Sequence, residues 1–198
     1  QCLNVIVDVA PGLILSAASI NAMRRDVLTQ LMAVRARRAM PELGKPRKVR
    51  EVFGRREEPG LTVQITSREQ ITGRLLNMGL QMLYVPLHIL AADPDFTQQL
   101  ARRVNVAATL PRIVHDGEMN AVRDALRIVR AQGVRQVLVG NLGLLLPARE
   151  AGMRVRGDYG LNLYNSGSVN LMRELEMKSA TLSFEMTLPQ IRDISKAL

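Results

Sequence analysis

Cysteine is almost absent from this sequence of 198 residues, in which Cys2 is the single thiol. One cysteine cannot form an internal disulfide, and it cannot supply the four thiolates that hold a structural zinc ion or an iron–sulfur cluster. Histidine is also rare, and His115 with its acidic neighbours lacks the second histidine of a convincing metal motif. The sequence therefore predicts no metal site and no cofactor in this segment.

Long apolar runs are missing as well. No run approaches the about 18 residues that a membrane-spanning helix requires. The chain begins with Gln1, and no charged segment followed by an apolar one resembles a secretory leader. Together with the low cysteine content, this predicts a cytoplasmic protein that has no membrane partner.

Acidic residues are scarce in one part of the chain, and most of the net charge of +9 arises there. Between Arg24 and Arg56, eleven Lys and Arg residues stand against three acidic ones, a net charge of +8. Such clustering indicates a polyanionic partner such as RNA, or an acidic neighbouring domain. The RNA-binding candidates are Arg35, Arg37, Arg38, Lys45, Arg47, Lys48 and Arg50. The alternative is a solvated basic connector, since Phe53 is the one aromatic residue there on which a base could stack.

The chain is predicted to have three parts. Residues 1–40 contain a short strand and then an amphipathic helix that begins at Ser16 or Ser19 and carries apolar residues at three- and four-residue steps. Residues 41–60 hold three prolines and three glycines, which indicates a basic linker. Residues 61–198 alternate between short apolar runs and helical patterns, which is typical of βα units.

Six βα units fit this last part, with short strands separated by capped helices. The predicted strands are Leu61–Ile65, Met82–Val85, Val106–Leu110, Gln136–Val139, Met153–Arg156 and Ala180–Ser183. The fold class is therefore α/β. A complete eight-stranded barrel needs about 250 residues, so the units form either an incomplete barrel of the TIM type or an open parallel sheet.

Polar residues follow several of these strands, and the carboxyl ends of parallel strands meet on one rim. Asp158 and Glu185 are the candidate catalytic acid or base residues, and Arg112 is suited to bind a carboxylate or phosphate. Asn141, Tyr159 and Asn162 complete the predicted substrate-binding set. The alternative is structural: the acidic residues accept hydrogen bonds from loop amides, and Arg112 pairs with one of them.

Three stretches also resemble a known family. VLVGNLG (137–143), GDYGLNLYNS (157–166) and SATLSFEMTLPQIRDISK (179–196) are similar to the collagenase-like peptidases, family thirty-two of the peptidases of unassigned catalytic type. ASINAMRRDVLTQL (18–31) resembles the end of the accessory domain of long members. The resemblance covers most of the chain and favours the barrel.

The resemblance implies a barrel-like peptidase domain whose catalytic residues are not established. It also implies that some relatives hydroxylate RNA bases or quinones with an iron–sulfur cluster held by four cysteines. This sequence lacks that cysteine set, so we expect any such cluster to lie elsewhere in the full-length protein. Asn141, Asp158, Asn162 and Glu185 lie within the similar stretches.

Three functions remain open on the sequence. The first is a fragment of a peptidase that binds a protein or peptide substrate at the rim. The second is an accessory part that binds structured RNA for hydroxylation by another segment. The third is a noncatalytic piece that completes a barrel with the rest of a full-length chain.

Overall fold

A computed structural model describes residues 10, 12–14, 16–37 and 58–197, in two compact units, Gln1–Arg47 and Lys48–Leu198. In the first unit, helix α1 comprises Ala17–Ala36, and the hydroxyl of Ser16 accepts a hydrogen bond from the Ser19 amide at 3.1 Å. The predicted first helix and its cap are therefore present. The predicted strand before it, and the linker up to residue 57, lie outside the described residues. The three predicted domain limits stay predictions.

The second unit contains a five-stranded, all-parallel sheet, which confirms the α/β fold class. Its strands are β1 (Thr62–Gln64), β2 (Met82–Pro86), β3 (Val106–Thr109), β4 (Gln136–Val139) and β5 (Arg154–Gly157). They match the first five predicted strands to within one or two residues at each end.

The sixth predicted strand, Ala180–Ser183, is reduced to two isolated parallel bridges. Ala180 pairs with Gly157, and Leu182 pairs with Leu163. The segment thus runs beside the end of β5 but changes its partner after two residues. A ladder cannot propagate when successive residues bond to different stretches of chain.

Seven helices are described in the second unit. They are α2 (Gly73–Leu76), α3 (Leu87–Ala92), α4 (Pro94–Arg103), α5 (Met119–Ala131), α6 (Leu145–Glu150), α7 (Ser166–Glu174) and α8 (Leu188–Lys196). Local capping accounts for several of these boundaries. Asp93 accepts a hydrogen bond from the Phe96 amide at 3.0 Å, and Pro94 occupies the first turn of α4, where its missing N–H has no helical partner.

The main core lies between one face of the sheet and the helices. Side chains from alternate strand positions, including Leu83, Val85 and Val137, pack there against Leu126 and Val129 of α5, and all five are fully buried. Burying each such side chain contributes about 1.5–3 kcal/mol. Because strand side chains alternate, the residues between these positions lie on the opposite face.

The strands lie in the sheet in the same order as in the chain, β1 to β5. Right-handed crossovers between successive neighbours place the connecting helices on one face, as in a barrel wall, whereas a doubly wound sheet reverses its strand order. In the described residues the arrangement is a barrel-like wall of five strands. It is consistent with an incomplete barrel or an open parallel sheet.

Candidate functional site

The candidate site is built from the loops that follow β3, β4 and β5. Arg112 follows β3, Gly140 and Asn141 follow β4, and Asp158 follows β5. The strands are parallel neighbours, so these loops lie beside one another at the carboxyl edge of the sheet. A backbone bond from the Asp158 amide to the Val139 carbonyl, at 2.9 Å, extends the pairing into the loops.

Two glycines make room for Arg112. A Cβ atom at Gly140 would lie 3.2 Å from the Cγ of Arg112, and one at Gly160 would lie 3.1 Å from its Cδ. The Cβ at Gly160 would also lie 2.8 Å from the carbonyl oxygen of Gly140. The aliphatic part of Arg112 therefore runs through a slot between two loops, and this slot requires the absence of side chains there.

The guanidinium of Arg112 lies over an aromatic ring at the end of this slot. Its Cζ atom is 4.9 Å from the centroid of the Tyr159 ring, within range of a cation–π interaction. The ring of Phe184 packs against the same tyrosine, with a centroid separation of 4.8 Å. The aromatic pair thus holds an exposed arginine head above the rim.

Asp158 is the buried acid of the rim, with a residue exposure of 5%. Burial raises the pKa of its carboxyl group, while the Tyr159 amide, which donates to its Oδ1 at 2.8 Å, and the charge of Arg112 oppose the rise. The net result is a carboxyl group with a pKa above its ordinary value. Such a group keeps its proton to a higher pH than an exposed aspartate does.

The side chain of Asn141 is engaged in the loop structure. Its Nδ2 donates to the Arg112 carbonyl at 3.1 Å, and its Oδ1 accepts from the Gly143 amide at 2.8 Å. Asn141 therefore ties the loop after β3 to the loop after β4. This geometry suits a residue that positions Arg112, and its predicted contact with substrate stays a prediction.

The remaining predicted residues lie farther along the chain. Glu185 is exposed and accepts a hydrogen bond from the hydroxyl of Tyr164, and this bond raises the pKa of that tyrosine. Glu185 follows Phe184, which contacts Tyr159, so it belongs to the same edge of the unit. Asn162 ends the turn after Asp158 in a left-handed conformation, with φ of 55°, and is exposed.

A group of polar residues on the second face of the sheet was missed by sequence reasoning. Arg156 of β5 donates from Nε to the Oε1 of Gln136 at 2.8 Å, and from Nη1 to the Oγ of Ser179 at 2.9 Å. Tyr84 of β2 and Thr109 of β3 lie on the same face by register. We call Tyr84, Thr109, Gln136 and Arg156 the polar face. The sequence does contain a signal for this face, namely polar residues at alternate positions of the strands.

Charged residues of both the polar face and the rim act on the Tyr84 hydroxyl. Burial raises the pKa of the Tyr84 hydroxyl, the charge of Arg156 opposes this, and the charge of Asp158 adds to it. Strands β2 and β5 are three spacings apart, about 14 Å in a flat sheet. Arg156 nevertheless hydrogen-bonds to the Tyr84 hydroxyl, which opposes the rise in its pKa, so the two long side chains reach each other across this face.

A cleft lies at the other end of β5, away from the rim. Its lining includes Arg149, Arg154, Glu176 and Lys178, near the amino end of the strand. Ligands of open and closed parallel sheets bind at the carboxyl ends of the strands. The rim around Asp158 is therefore the stronger candidate.

The basic cluster is only partly described. Arg35 and Arg37 lie at the end of α1 and are exposed. The other five predicted RNA-binding residues, Arg38, Lys45, Arg47, Lys48 and Arg50, lie outside the described residues, so the cluster stays a prediction.

The described part of the chain offers neither a cluster of metal ligands nor a membrane-spanning helix. No group of three or more His, Cys, Asp or Glu side chains there is arranged to hold a metal ion. Nor does that part include a helix with the length and apolar character needed to cross a bilayer.

These features define the class of the second unit: an α/β protein with a barrel-like parallel wall and a buried acid beside an arginine at its carboxyl edge. The sequence matches Peptidase family U32 over residues 95–198, which is 104 of 198 residues, and the chain belongs to that family. The match covers Arg112, Asn141, Asp158 and Glu185, and it confirms the resemblance. The stretch 18–31 lies outside it. No curated protein and no solved structure matches the chain significantly.

Proposed function

We propose that the chain is the substrate-binding and proton-transfer part of a peptidase of family U32. The observation that carries the proposal is Asp158, a buried carboxyl group with a raised pKa, beside Arg112 at the ends of three parallel strands. A general base for hydrolysis must accept a proton from water, and a pKa closer to the working pH makes it more effective.

In this proposal each rim residue has a separate task. Asp158 activates the attacking water and later returns a proton to the leaving amine. Arg112, held over Tyr159, binds a carboxylate or carbonyl oxygen of the peptide. Asn141 keeps Arg112 in place through its backbone carbonyl. Glu185 is the candidate second carboxylate, and its bond with Tyr164 would keep it oriented.

The test is hydrolysis of gelatin and of collagen-derived peptides by the full chain and its variants. Asp158→Asn keeps the shape of the side chain but cannot accept the proton, so we expect the rate to fall by about 10²-fold or more. Asp116→Asn is the matched control, because Asp116 is an exposed acid in the turn before α5. A rate unchanged by Asp158→Asn, or no hydrolysis by the wild-type protein, would contradict the proposal.

The accessory RNA-binding function is a second candidate, and the net charge of +8 between residues 24 and 56 favours it. Phosphate contacts require clustered cations but no particular surface shape, and this segment supplies such a cluster. In this case the reaction would occur at an iron–sulfur cluster in another segment of a longer protein. The third candidate, a noncatalytic barrel segment, predicts neither hydrolysis nor RNA binding.

A further inference from the structure

Arg156 is a half-buried cation whose hydrogen-bond partners are all neutral. Its Nε and Nη1 atoms donate to Gln136 and Ser179, at 2.8 and 2.9 Å. No ion pair joins Arg156 to a carboxylate within residues 58–197. A charge taken partly out of water is normally balanced by a counter-charge, because desolvation disfavours the charged form.

The neutral partners orient the guanidinium without compensating its charge. Gln136 and Ser179 approach it from β4 and from the segment that bridges to the end of β5, so both sides of the head are fixed. A guanidinium carries five N–H donors; these two bonds use two of them, and a hydrogen bond to the Tyr84 hydroxyl engages a third. Two donors are left to bind an oxyanion, in the charge-assisted geometry that arginine favours.

A second donor lies within reach of the same place. The hydroxyl of Tyr84 is close enough to Arg156 for the arginine charge to act on it, and it extends from a different strand of the same face. The phenol can donate one hydrogen bond while its oxygen faces the cation. The Tyr84 hydroxyl and the guanidinium of Arg156 thus lie together on this face of the sheet.

We propose that Arg156 and Tyr84 form an oxyanion-binding site on the polar face of the sheet, below the rim that carries Asp158. Asp158 follows the end of β5, two residues after Arg156, and the charges of both residues act on Tyr84, so a ligand anchored at Arg156 lies near the Asp158 carboxyl group. The ligand class is a small molecule or chain end that bears a carboxylate or a phosphate. The inference concerns binding, and it holds whether or not Asp158 is catalytic.

Calorimetric titration of the full chain with succinate, inorganic phosphate and neutral succinamide tests the site. We expect succinate or phosphate to bind and succinamide not to bind, and the better anion identifies the ligand class. Arg156→Gln should weaken anion binding by about tenfold or more, the loss expected for one charge-assisted hydrogen bond. Tyr84→Phe should weaken it by about three- to tenfold, since one neutral donor is lost.

Arg102→Gln is the matched control. Arg102 is exposed on α4, away from the strands that carry the polar face, and loses the same charge on substitution, so binding should stay within about twofold of wild type. Equal losses in Arg102→Gln and Arg156→Gln would show that only the overall charge matters and would overturn the proposal. So would a wild-type protein that binds neither anion. If Arg156→Gln does not fold, unchanged binding by Tyr84→Phe overturns it.

The hydrolysis test and the anion-binding test give distinguishable outcomes for the two proposals. Loss of hydrolysis in Asp158→Asn with anion binding retained supports both proposals. Anion binding by a protein that hydrolyses no peptide refutes the peptidase proposal and leaves the Arg156 site standing. Hydrolysis with no anion binding does the reverse.

Discussion

At the residue scale, the rim depends on the absence of side chains at two positions. Gly160 is the tighter of these, because a Cβ there would lie 2.8 Å from the carbonyl oxygen of Gly140, which is backbone and cannot rotate away. The same Cβ would press on Arg112 at 3.1 Å. The slot therefore couples the conformation of the loop after β5 to the position of the arginine.

We expect Gly160→Ala to lower the free energy of unfolding by about 1–3 kcal/mol, the usual cost of overpacking a tight site. Urea denaturation monitored by circular dichroism measures this. Gly73→Ala is the control, since nothing lies within 4 Å of a Cβ at Gly73 and alanine favours a helix more than glycine does. A Gly160→Ala protein as stable as the Gly73→Ala protein would show that the slot is not tight.

The raised pKa of Asp158 makes a prediction about stability and pH. Burial raises its pKa in the folded state, so the folded protein holds this proton more tightly than the unfolded chain, whose aspartates titrate near 3.9. The contribution of Asp158 to the stability of the folded state therefore becomes less favourable as the pH rises from about 4 through the raised pKa of this carboxyl group. Below about pH 4 both states are protonated and the contribution is constant.

Asp158→Asn removes this titration. Relative to wild type, the variant should gain stability as pH rises through that window, measured as the difference between urea unfolding free energies at several pH values. Asp116→Asn, at an exposed position, controls for the substitution itself. A difference between Asp158→Asn and wild type that does not vary with pH would contradict the raised pKa.

At the element scale, α1 and α5 differ in what they bury. The 20-residue helix α1 has no buried residue within the part of the chain described, and Ile20, Val27 and Leu31 are each about half exposed. Helix α5 buries Val122, Leu126 and Val129 against the sheet. A helix without packed side chains is marginal in water, since most helical stability in proteins comes from packing.

We therefore expect the amides of α1 to exchange with deuterium far faster than those of α5, by a factor of about 10² or more. Hydrogen-exchange mass spectrometry of the full chain measures both helices in one experiment. Equal protection of the two helices would contradict this prediction.

At the scale of the whole molecule, the charge is divided unevenly: a strongly basic segment precedes a nearly neutral βα unit. If the basic segment contacts RNA phosphates, each contact releases counterions, so affinity falls steeply as salt increases. We expect structured RNA to bind at 50 mM salt and to bind about 10²-fold or more weakly at 200 mM. Fluorescence anisotropy at the two concentrations gives both values.

The matched control changes charge without removing the segment. Replacing Arg35 and Arg37 by Gln should weaken RNA binding, whereas replacing Arg102 and Arg103, exposed at the end of α4, should not. No binding by wild type, or binding that is indifferent to salt, would refute the accessory RNA-binding function.

Much of the fold was predictable because its signals are local. Asp93 with Pro94, Asn165 and Thr187 mark helix starts through hydrogen bonds within three residues, and each lies where its pattern indicated. The first five strands are short apolar runs between such caps. Asp158 and Arg112 were also accessible, because residues that follow parallel strands must share an edge.

Tertiary structure alone decided the rest, because pairing and curvature join residues distant in the chain. The segment at Ala180 has the composition of a strand, but it divides its bonds between Gly157 and Leu163 and forms no ladder. The apolar run at Leu87–Ala92, to which the sequence pattern assigned no element, forms helix α3. Tyr84 and Arg156 are 72 positions apart and interact only because the sheet brings their side chains to one face. Helix caps and strand runs depend on residues that are close in the chain, whereas register and curvature are properties of the whole sheet.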